Sequence, residues 1–265
     1  MSGRLLPVSD RPWSGGRATT RAVCVLAPNP SPMTLDGTNT WILAEPGAHR
    51  ALIIDPGPPD AAHVSAIEQA LREIEAEAGL IALTHGHLDH SEGADALAQR
   101  LGVEVRRWQR GDLARPQSLV LDGLEVEVLP TPGHSADSVS FHVRADAALL
   151  TGDTVLGRGT SVVAYPDGHL GDYLDSLQVL RDAAAEARIL LPGHGPTLED
   201  PAGVLTEYIE HRQSRLQQVR DALASGARTP DEVVDYVYAG LDARLRPAAL
   251  MSTRAQLEYL GASQS

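Results

Sequence analysis

Apolar positions recur along the chain in two rhythms, and the changes from one to the other mark its elements. Short apolar runs at Arg21–Ala27, Thr40–Ala44, Ala51–Ile54 and Leu80–Thr84 have the length and character of buried strands. Leu124–Leu129, Ser138–Val143, Ala147–Leu150 and Arg188–Leu191 alternate or run apolar in the same way. Between them the spacing lengthens to that of a helix face, with Val64, Ile67, Leu71 and Ile74 inside Asp60–Glu77, then Glu92–Leu101 and Asp172–Glu186. Strands and helices interleave from residue 21 to about 200, which predicts sheet covered by helices, with working residues in loops at strand ends. Past Pro201 the pattern is helical throughout. Val204, Leu205, Tyr208, Ile209, Leu216, Val219 and Leu223 mark one face of a long helix. Thr229-Pro-Asp-Glu232 reads as a capping box with Pro at the first helical position, and a last helix is expected from about Pro247 to Leu260. The expected organisation is a loose Gly-, Ser-, Arg- and Pro-rich arm over residues 1–20, an α/β domain over 21–202 and a small helical module over 203–265.

Composition narrows the class. The chain has 265 residues, enough to bury a large core, and its 43% hydrophobic and 22% charged content is that of an ordinary globular protein. Its longest apolar run, Ala22–Ala27, is too short for a membrane span or for the apolar part of a secretory signal, so a cytoplasmic protein with no membrane partner is expected. Cys24 is the only cysteine, which excludes an internal disulfide and a cysteine-rich zinc site. It lies in that same apolar run, as a buried strand residue would. The formal net charge of -13 opposes non-specific binding to nucleic acid. All 22 basic residues are Arg, so no function can rest on an ammonium side chain.

The chemistry is concentrated in five motifs. Thr84-His-Gly-His-Leu-Asp-His90 packs three histidines and an aspartate behind a predicted strand. On a loop, His85 and His87 can point to one side while Asp89 and His90 serve a neighbouring point, and imidazole with carboxylate suits zinc. Thr131-Pro-Gly-His134, Thr151-Gly-Asp153 and Leu191-Pro-Gly-His194 each read alone as a turn or cap. Together they repeat one scheme of strand, tight glycine turn and ligand-type side chain, so one mouth of a sheet can collect them all. In Ile54-Asp55-Pro-Gly57, Asp55 reads equally as a residue orienting a ligand by hydrogen bonding or as a structural turn. His49 and His63 are expected to face solvent, His142 to alternate along a strand, and His169 and His211 to be structural.

The order His-x-His-x-Asp-His, His, Asp, His resembles the metallo-β-lactamase superfamily over residues 21 to about 200. The resemblance implies a four-layer αββα sandwich with a dinuclear site at one edge and two Zn2+ per chain. His85, His87 and His134 would hold one metal, Asp89, His90 and His194 the other, and Asp153 would bridge both. Two such metals share a bridging hydroxide and stabilise charge on the attacked oxygen. Asp89 would act as the catalytic proton acceptor as well as a ligand. The presence of Asp153, and the distance of Cys24 from every motif, argue against antibiotic hydrolysis. His at position 87, where flavodiiron proteins carry Glu, favours zinc hydrolysis over iron redox chemistry. Glyoxalase II enzymes share all seven ligands but hold glutathione partly through lysine, which this chain lacks. The stretch 154–193 leaves no room for the large inserted domain of one RNA-cleaving branch, and the flexible arm of the tRNA-processing branch is not found.

Met33–Thr40, Thr84–Gly93, Pro130–Ser140, Thr151–Gly157, Leu191–Pro196 and Tyr208-Ile-Glu-His-Arg212 are most similar to the β-lactamase-like protein 2 family. That likeness implies a winged-helix-like C-terminal module and endoribonuclease action on single-stranded RNA. Arg212, Arg215, Arg220, Arg244, Arg246 and Arg254 form a candidate basic face, against which stand Glu207, Glu210, Asp231, Glu232 and Asp235. Arg212 and Arg215, three apart, are expected to share a helical face beside the cleft and hold a substrate phosphate or carboxylate. Since every ligand lies at or before His194, the metal site is expected to assemble without the module. The leading expectation is a phosphodiesterase on single-stranded RNA. The alternatives are a thioester or carboxylic ester hydrolase of glyoxalase II type acting on a small molecule, and a non-catalytic metal-binding module. The oligomeric state is left open, a homodimer among the options.

Overall fold

The computed structural model describes residues 12–108 and 117–262. Most of the expected N-terminal arm, residues 1–11, lies outside the described residues. Its remainder is tied down: Gly16–Arg17 (β1) pairs with Ala22–Leu26 (β2), and the indole of Trp13 donates to Asn39 at 2.7 Å. Asn39–Leu43 (β3) and Arg50–Ile54 (β4) continue the sheet antiparallel. The chain then crosses over through helix Ala61–Glu73 (α1) and returns parallel as Glu77–Ala82 (β5). The Asp60 carboxylate accepts from the His63 amide and starts α1. The helix ends earlier than the expected Glu77, because Ile74 closes it and Glu75 turns through a left-handed φ of 57° into β5. A single turn, Leu88–Ser91 (α2), and helix Ala94–Leu101 (α3) follow where one helix over Glu92–Leu101 is expected. The edge strand Val105–Arg106 (β6) completes a six-stranded sheet in the order β1-β2-β3-β4-β5-β6.

The second sheet begins with the hairpin Gln117–Leu121 (β7) and Leu124–Pro130 (β8), then Val139–Val143 (β9) and Ala148–Gly152 (β10). Helix Leu170–Ala183 (α4) carries the chain over to Ile189–Pro192 (β11), parallel to β10, and Leu198–Glu199 (β12) closes the order β12-β11-β10-β9-β8-β7. Between the sheets lies one apolar cluster containing Trp41, Leu43, Ile54, Val126, Phe141, Leu150 and Leu191. Burying each such side chain contributes roughly 1.5–3 kcal/mol. Cys24 belongs to this cluster, as expected, and burial pushes its thiol up. Ile42, Ile53 and Ile81 face the other way, under α1 and α3. Leu149 and Leu190 do the same in the second sheet, under α4 and the long helix Pro201–Ala224 (α5). The layers are helix, sheet, sheet, helix.

Helices Pro230–Val237 (α6) and Arg246–Tyr259 (α7) complete the chain, and the capping box at Thr229 and Glu232 forms as its sequence predicts. One apolar cluster crosses the boundary expected near residue 202. Leu149, Tyr173 and Leu177 pack with Val204, Leu205, Tyr208, Leu216 and Ala255.

His63 corrects an expectation. It is 2% exposed rather than solvent-facing, and its Nε2 lies 2.8 Å from the Thr40 hydroxyl, which donates to the Asp55 carbonyl. The face of α1 that looks polar at this position is turned onto the sheet. His49 is exposed as expected. His142 is buried in β9, and His169 meets Glu258 at the start of α4.

Candidate metal centre

Strands β4, β5, β8, β10 and β11 each deliver a side chain to one edge of the sandwich. Asp55 follows β4, His85 to His90 follow β5, His134 follows β8, Asp153 follows β10 and His194 follows β11. Glycines let the turns close. Gly133 has φ of 130°, and a Cβ there would stand 2.3 Å from the backbone of Tyr173. A Cβ on Gly193 would stand 2.5 Å from the Asp153 carboxylate and 2.9 Å from the His90 ring.

Four histidines have one nitrogen already engaged. His134 donates from Nδ1 to the Val162 carbonyl at 2.6 Å, and His194 from Nδ1 to the Gly37 carbonyl at 3.1 Å. His90 donates from Nδ1 to Asp55 at 2.9 Å. The Thr84 hydroxyl gives its proton to Asp55 at 2.6 Å and so accepts from His85 Nδ1 at 3.0 Å. The opposite nitrogens are thereby turned inwards, and they converge. His85 Nε2 and His134 Nε2 lie 3.0 and 2.9 Å from His87 Nδ1, and His90 Nε2 lies 3.1 Å from His194 Nε2. Asp153 stands between the two groups, 3.3 Å from His194, 3.5 Å from His90 and 3.8 Å from His134. Asp89 Oδ2 is 3.2 Å from His194. The buried Asp153 Oδ1 has no hydrogen-bond partner. Imidazole nitrogens and carboxylates crowd together in this way only around a cation, a proton or a metal ion, and five imidazoles with two carboxylates, four of the rings held by their outer nitrogens, are a donor set that fits metal. His85–His87–His134, His85–His90–Asp153 and Asp89–His90–His194 each bring one ligand atom per residue within 4.8 Å of the others. All seven residues singled out in the sequence meet here. Asp55 is buried and accepts from the Thr84 amide, the Thr84 hydroxyl and His90. This is the geometry of a residue that orients a ligand.

Electrostatics divide the cluster. Burial strips water from His85 and His134 and pushes both down, His134 to about 4. Burial opposes charge on His90 and His194 too, but the carboxylates around them together outweigh it, Asp153 and Asp55 at His90 and Asp153 and Asp89 at His194, which is pushed up to about 9. Burial likewise works against the Asp153 and Asp89 carboxylates, and the neighbouring histidines more than offset it, holding both below the usual range.

The arginines depart from expectation. Arg212 is 3% exposed, donates from Nη2 to the Ser161 carbonyl at 2.5 Å and lies over the Tyr173 ring, 4.6 Å from its centroid. Arg215 lies over Tyr238 and donates to Gln218 and the Val237 carbonyl. The two guanidinium groups diverge, one beneath the metal centre and one towards α6, so they do not form a joint anion clamp on an open face. Spacing of three predicts a shared face but not which of its residues the core absorbs.

Sequence reasoning also passes over Thr84, Asn39 and Ser161. Asn39 Nδ2 donates to the carbonyls of Pro192 and Gly195 and fixes the turn carrying His194. A polar residue entering an apolar strand is the signal that marks it. Ser161 donates to the Asp153 carbonyl, and nothing in its local sequence distinguishes it. No described helix is long and apolar enough to cross a membrane.

Residues 33–114 and 113–194 match the family described as Metallo-beta-lactamase superfamily. The chain is 33% identical to the Beta-lactamase-like protein 2 homolog of Caenorhabditis elegans, over 89% of this chain and 82% of that protein. It is 32% identical to the homolog of Drosophila melanogaster, over 92% and 89%. Its fold is similar to that of a metallo-beta-lactamase family protein from Thermus thermophilus, with a TM-score of 0.76 and 24% identity over 91% of this chain and 93% of the other. These matches join a four-layer sandwich to a His/Asp cluster at its edge, and the chain belongs to the metallo-beta-lactamase superfamily of metal-dependent hydrolases.

Proposed function

We propose that the protein is a two-zinc hydrolase acting on a carboxylic ester or thioester of a small molecule. Bound zinc ions supply Lewis acidity and a water nucleophile near neutral pH. The protein supplies position and proton handling. Four of the histidines, His85, His90, His134 and His194, are fixed through their far nitrogens and hold the donor set rigid. Asp89, with its side chain 31% exposed at the mouth, takes a proton from the attacking water. Leu88, 68% exposed between His87 and Asp89, offers apolar surface to an acyl or alkyl group.

The observation that carries the choice of substrate is how the arginines are used. Arg212 is buried, Arg215 is stacked on Tyr238, Arg244 pairs with Asp242, and Arg246 with Asp231 and Asp235. Arg212 and Arg215, the two expected beside the cleft, are thus taken up within the fold, and Arg244 and Arg246 each stand against neighbouring carboxylates. The hollow of about 400 Å³ beside His87 is lined by Asp137 and Asp167, which repel a polyanion. Cleavage of single-stranded RNA is the second possibility, favoured by the motifs shared with the β-lactamase-like protein 2 family. Purified protein offered an aryl ester, an acyl thioester and labelled single-stranded RNA side by side separates the two. Chelator-sensitive turnover of the ester or thioester, with RNA intact, is the expected result. Chelator-sensitive cleavage of RNA alone would overturn the choice.

A further inference from the structure

The chain between β10 and α4 carries Asp153 at its start and touches His134 in its middle, yet residues 153–169 form no helix or strand. Its backbone must be held from outside, and α5 does this with two residues four apart, hence on one helical face. The Tyr208 hydroxyl accepts from the Leu156 amide at 2.9 Å and lies 3.2 Å from the Gly159 carbonyl. One turn on, Arg212 grips the Ser161 carbonyl.

Ser161 and Val162 then touch the centre from below. The Ser161 hydroxyl donates to the Asp153 carbonyl at 2.5 Å and lies 3.3 Å from His134 Nδ1. The Val162 carbonyl receives the His134 Nδ1 proton, which leaves His134 Nε2 bare for a metal. Arg212 is thus two bonded contacts from one expected ligand of each metal. It is also a costly residue to place there. It is 3% exposed, no carboxylate among the described residues pairs with it, and its Nε has no hydrogen-bond partner. Its compensation is the Tyr173 ring face, with the Tyr173 hydroxyl in turn donating to the Thr154 carbonyl at 2.7 Å. A helix needing only to dock would put an apolar side chain at this position, as it does at Val204, Leu205 and Leu216.

We propose that Arg212 is a positioning residue for the metal centre. Through the Ser161–Val162 peptide it fixes which nitrogen of His134 is offered and where Asp153 stands, and it makes α5 part of the centre. This rests on the centre being a metal-dependent hydrolase.

The test compares wild type, Arg212→Met, Arg212→Lys and Leu216→Ala, the last opening a cavity in the same helix seat away from the loop. Zinc affinity is read by competition with a chromophoric chelator, steady-state kinetics on the substrate that wild type accepts, and folding by circular dichroism. Arg212→Met is expected to bind zinc about 10-fold more weakly, the lower end of the cost of losing a direct outer contact to a ligand, since Arg212 acts through Ser161 and Val162. It should lower kcat more than it raises KM, with Arg212→Lys lying between it and wild type. Leu216→Ala should lose thermal stability while keeping wild-type zinc affinity. Should Arg212→Met not fold, the decision passes to Arg212→Lys, for which at least threefold weaker zinc binding is expected. Wild-type zinc affinity and kcat in a folded Arg212→Met or Arg212→Lys, or equal losses in Leu216→Ala, would overturn the proposal. Wild-type protein that binds no zinc and hydrolyses nothing would instead sink the hydrolase reading beneath it.

Discussion

Each histidine in the centre has two nitrogens, and its chemistry depends on which one is already committed. For His85, His90, His134 and His194 the commitment is made at Nδ1, to Thr84, Asp55, Val162 and Gly37. That is why the free nitrogens can converge without rearrangement when a cation arrives. Asp89 differs in being partly exposed, so its loss should open no core cavity. Asp89→Ala is expected to cost about 10²–10⁴-fold in hydrolysis, with melting temperature and circular dichroism close to wild type. A rate above about a tenth of wild type would show that Asp89 does not move the proton. The raised histidines give a pH prediction. Asp153, helped by Asp55 at His90 and by Asp89 at His194, favours the charged forms of these two imidazoles in metal-free protein. Metal needs them neutral, so uptake releases protons and affinity rises with pH, levelling off above about 9, where His194 has lost its proton unaided. Calorimetry of zinc binding in buffers of different ionisation enthalpy measures this release. Uptake with no proton release at pH 7 would contradict the assignment.

At the scale of elements, the site depends on tight turns more than on the strands that lead into them. Gly133→Ala places a methyl group into the backbone of Tyr173 at a left-handed φ. It should cost about 3 kcal/mol or more from strain and overpacking together, a loss of roughly 6–12 °C in melting temperature for a chain of this size. Gly47→Ala, also at positive φ but with open space around it, should cost about 1 kcal/mol. Equal melting temperatures for the two variants would show that the approach of α4 is not what requires glycine at 133. The same elements show what can be read from sequence and what cannot. Ligand motifs are legible because each combines a glycine turn with a rare side chain directly after an apolar run. The ends of α1 and β5 are not, since Glu75 adopts a left-handed conformation that its side chain does not announce. The two-residue strands β1, β6 and β12 are too short to carry a period. Arg212 is legible as a member of a motif but not in its role. Its burial is set by Tyr173 and Ser161, far away in sequence.

Across the whole molecule, the C-terminal helices are packed into the same apolar cluster that covers the second sheet. The expected metal ligands end at His194, but Tyr173, Leu177 and Leu149 pack against α5 and α7 and would lose that cover without them. Against the expectation that the metal site assembles without the module, a chain ended after residue 200 should lose cooperative thermal unfolding and bind zinc far more weakly, because this cluster is shared. A truncated chain that melts sharply and binds zinc as wild type does would show the module to be dispensable. Net charge of -13 and carboxylates beside the mouth give the molecule a negative field, on which the proposed preference for a small substrate over a polyanion rests. All of this depends on the seven converging side chains being a metal centre, and elemental analysis of protein purified without chelator tests that most directly. Close to two metal ions per chain, predominantly zinc, with hydrolysis lost on chelation and restored by zinc, is the predicted result. No more than a trace of metal, or hydrolysis indifferent to its removal, would contradict the account.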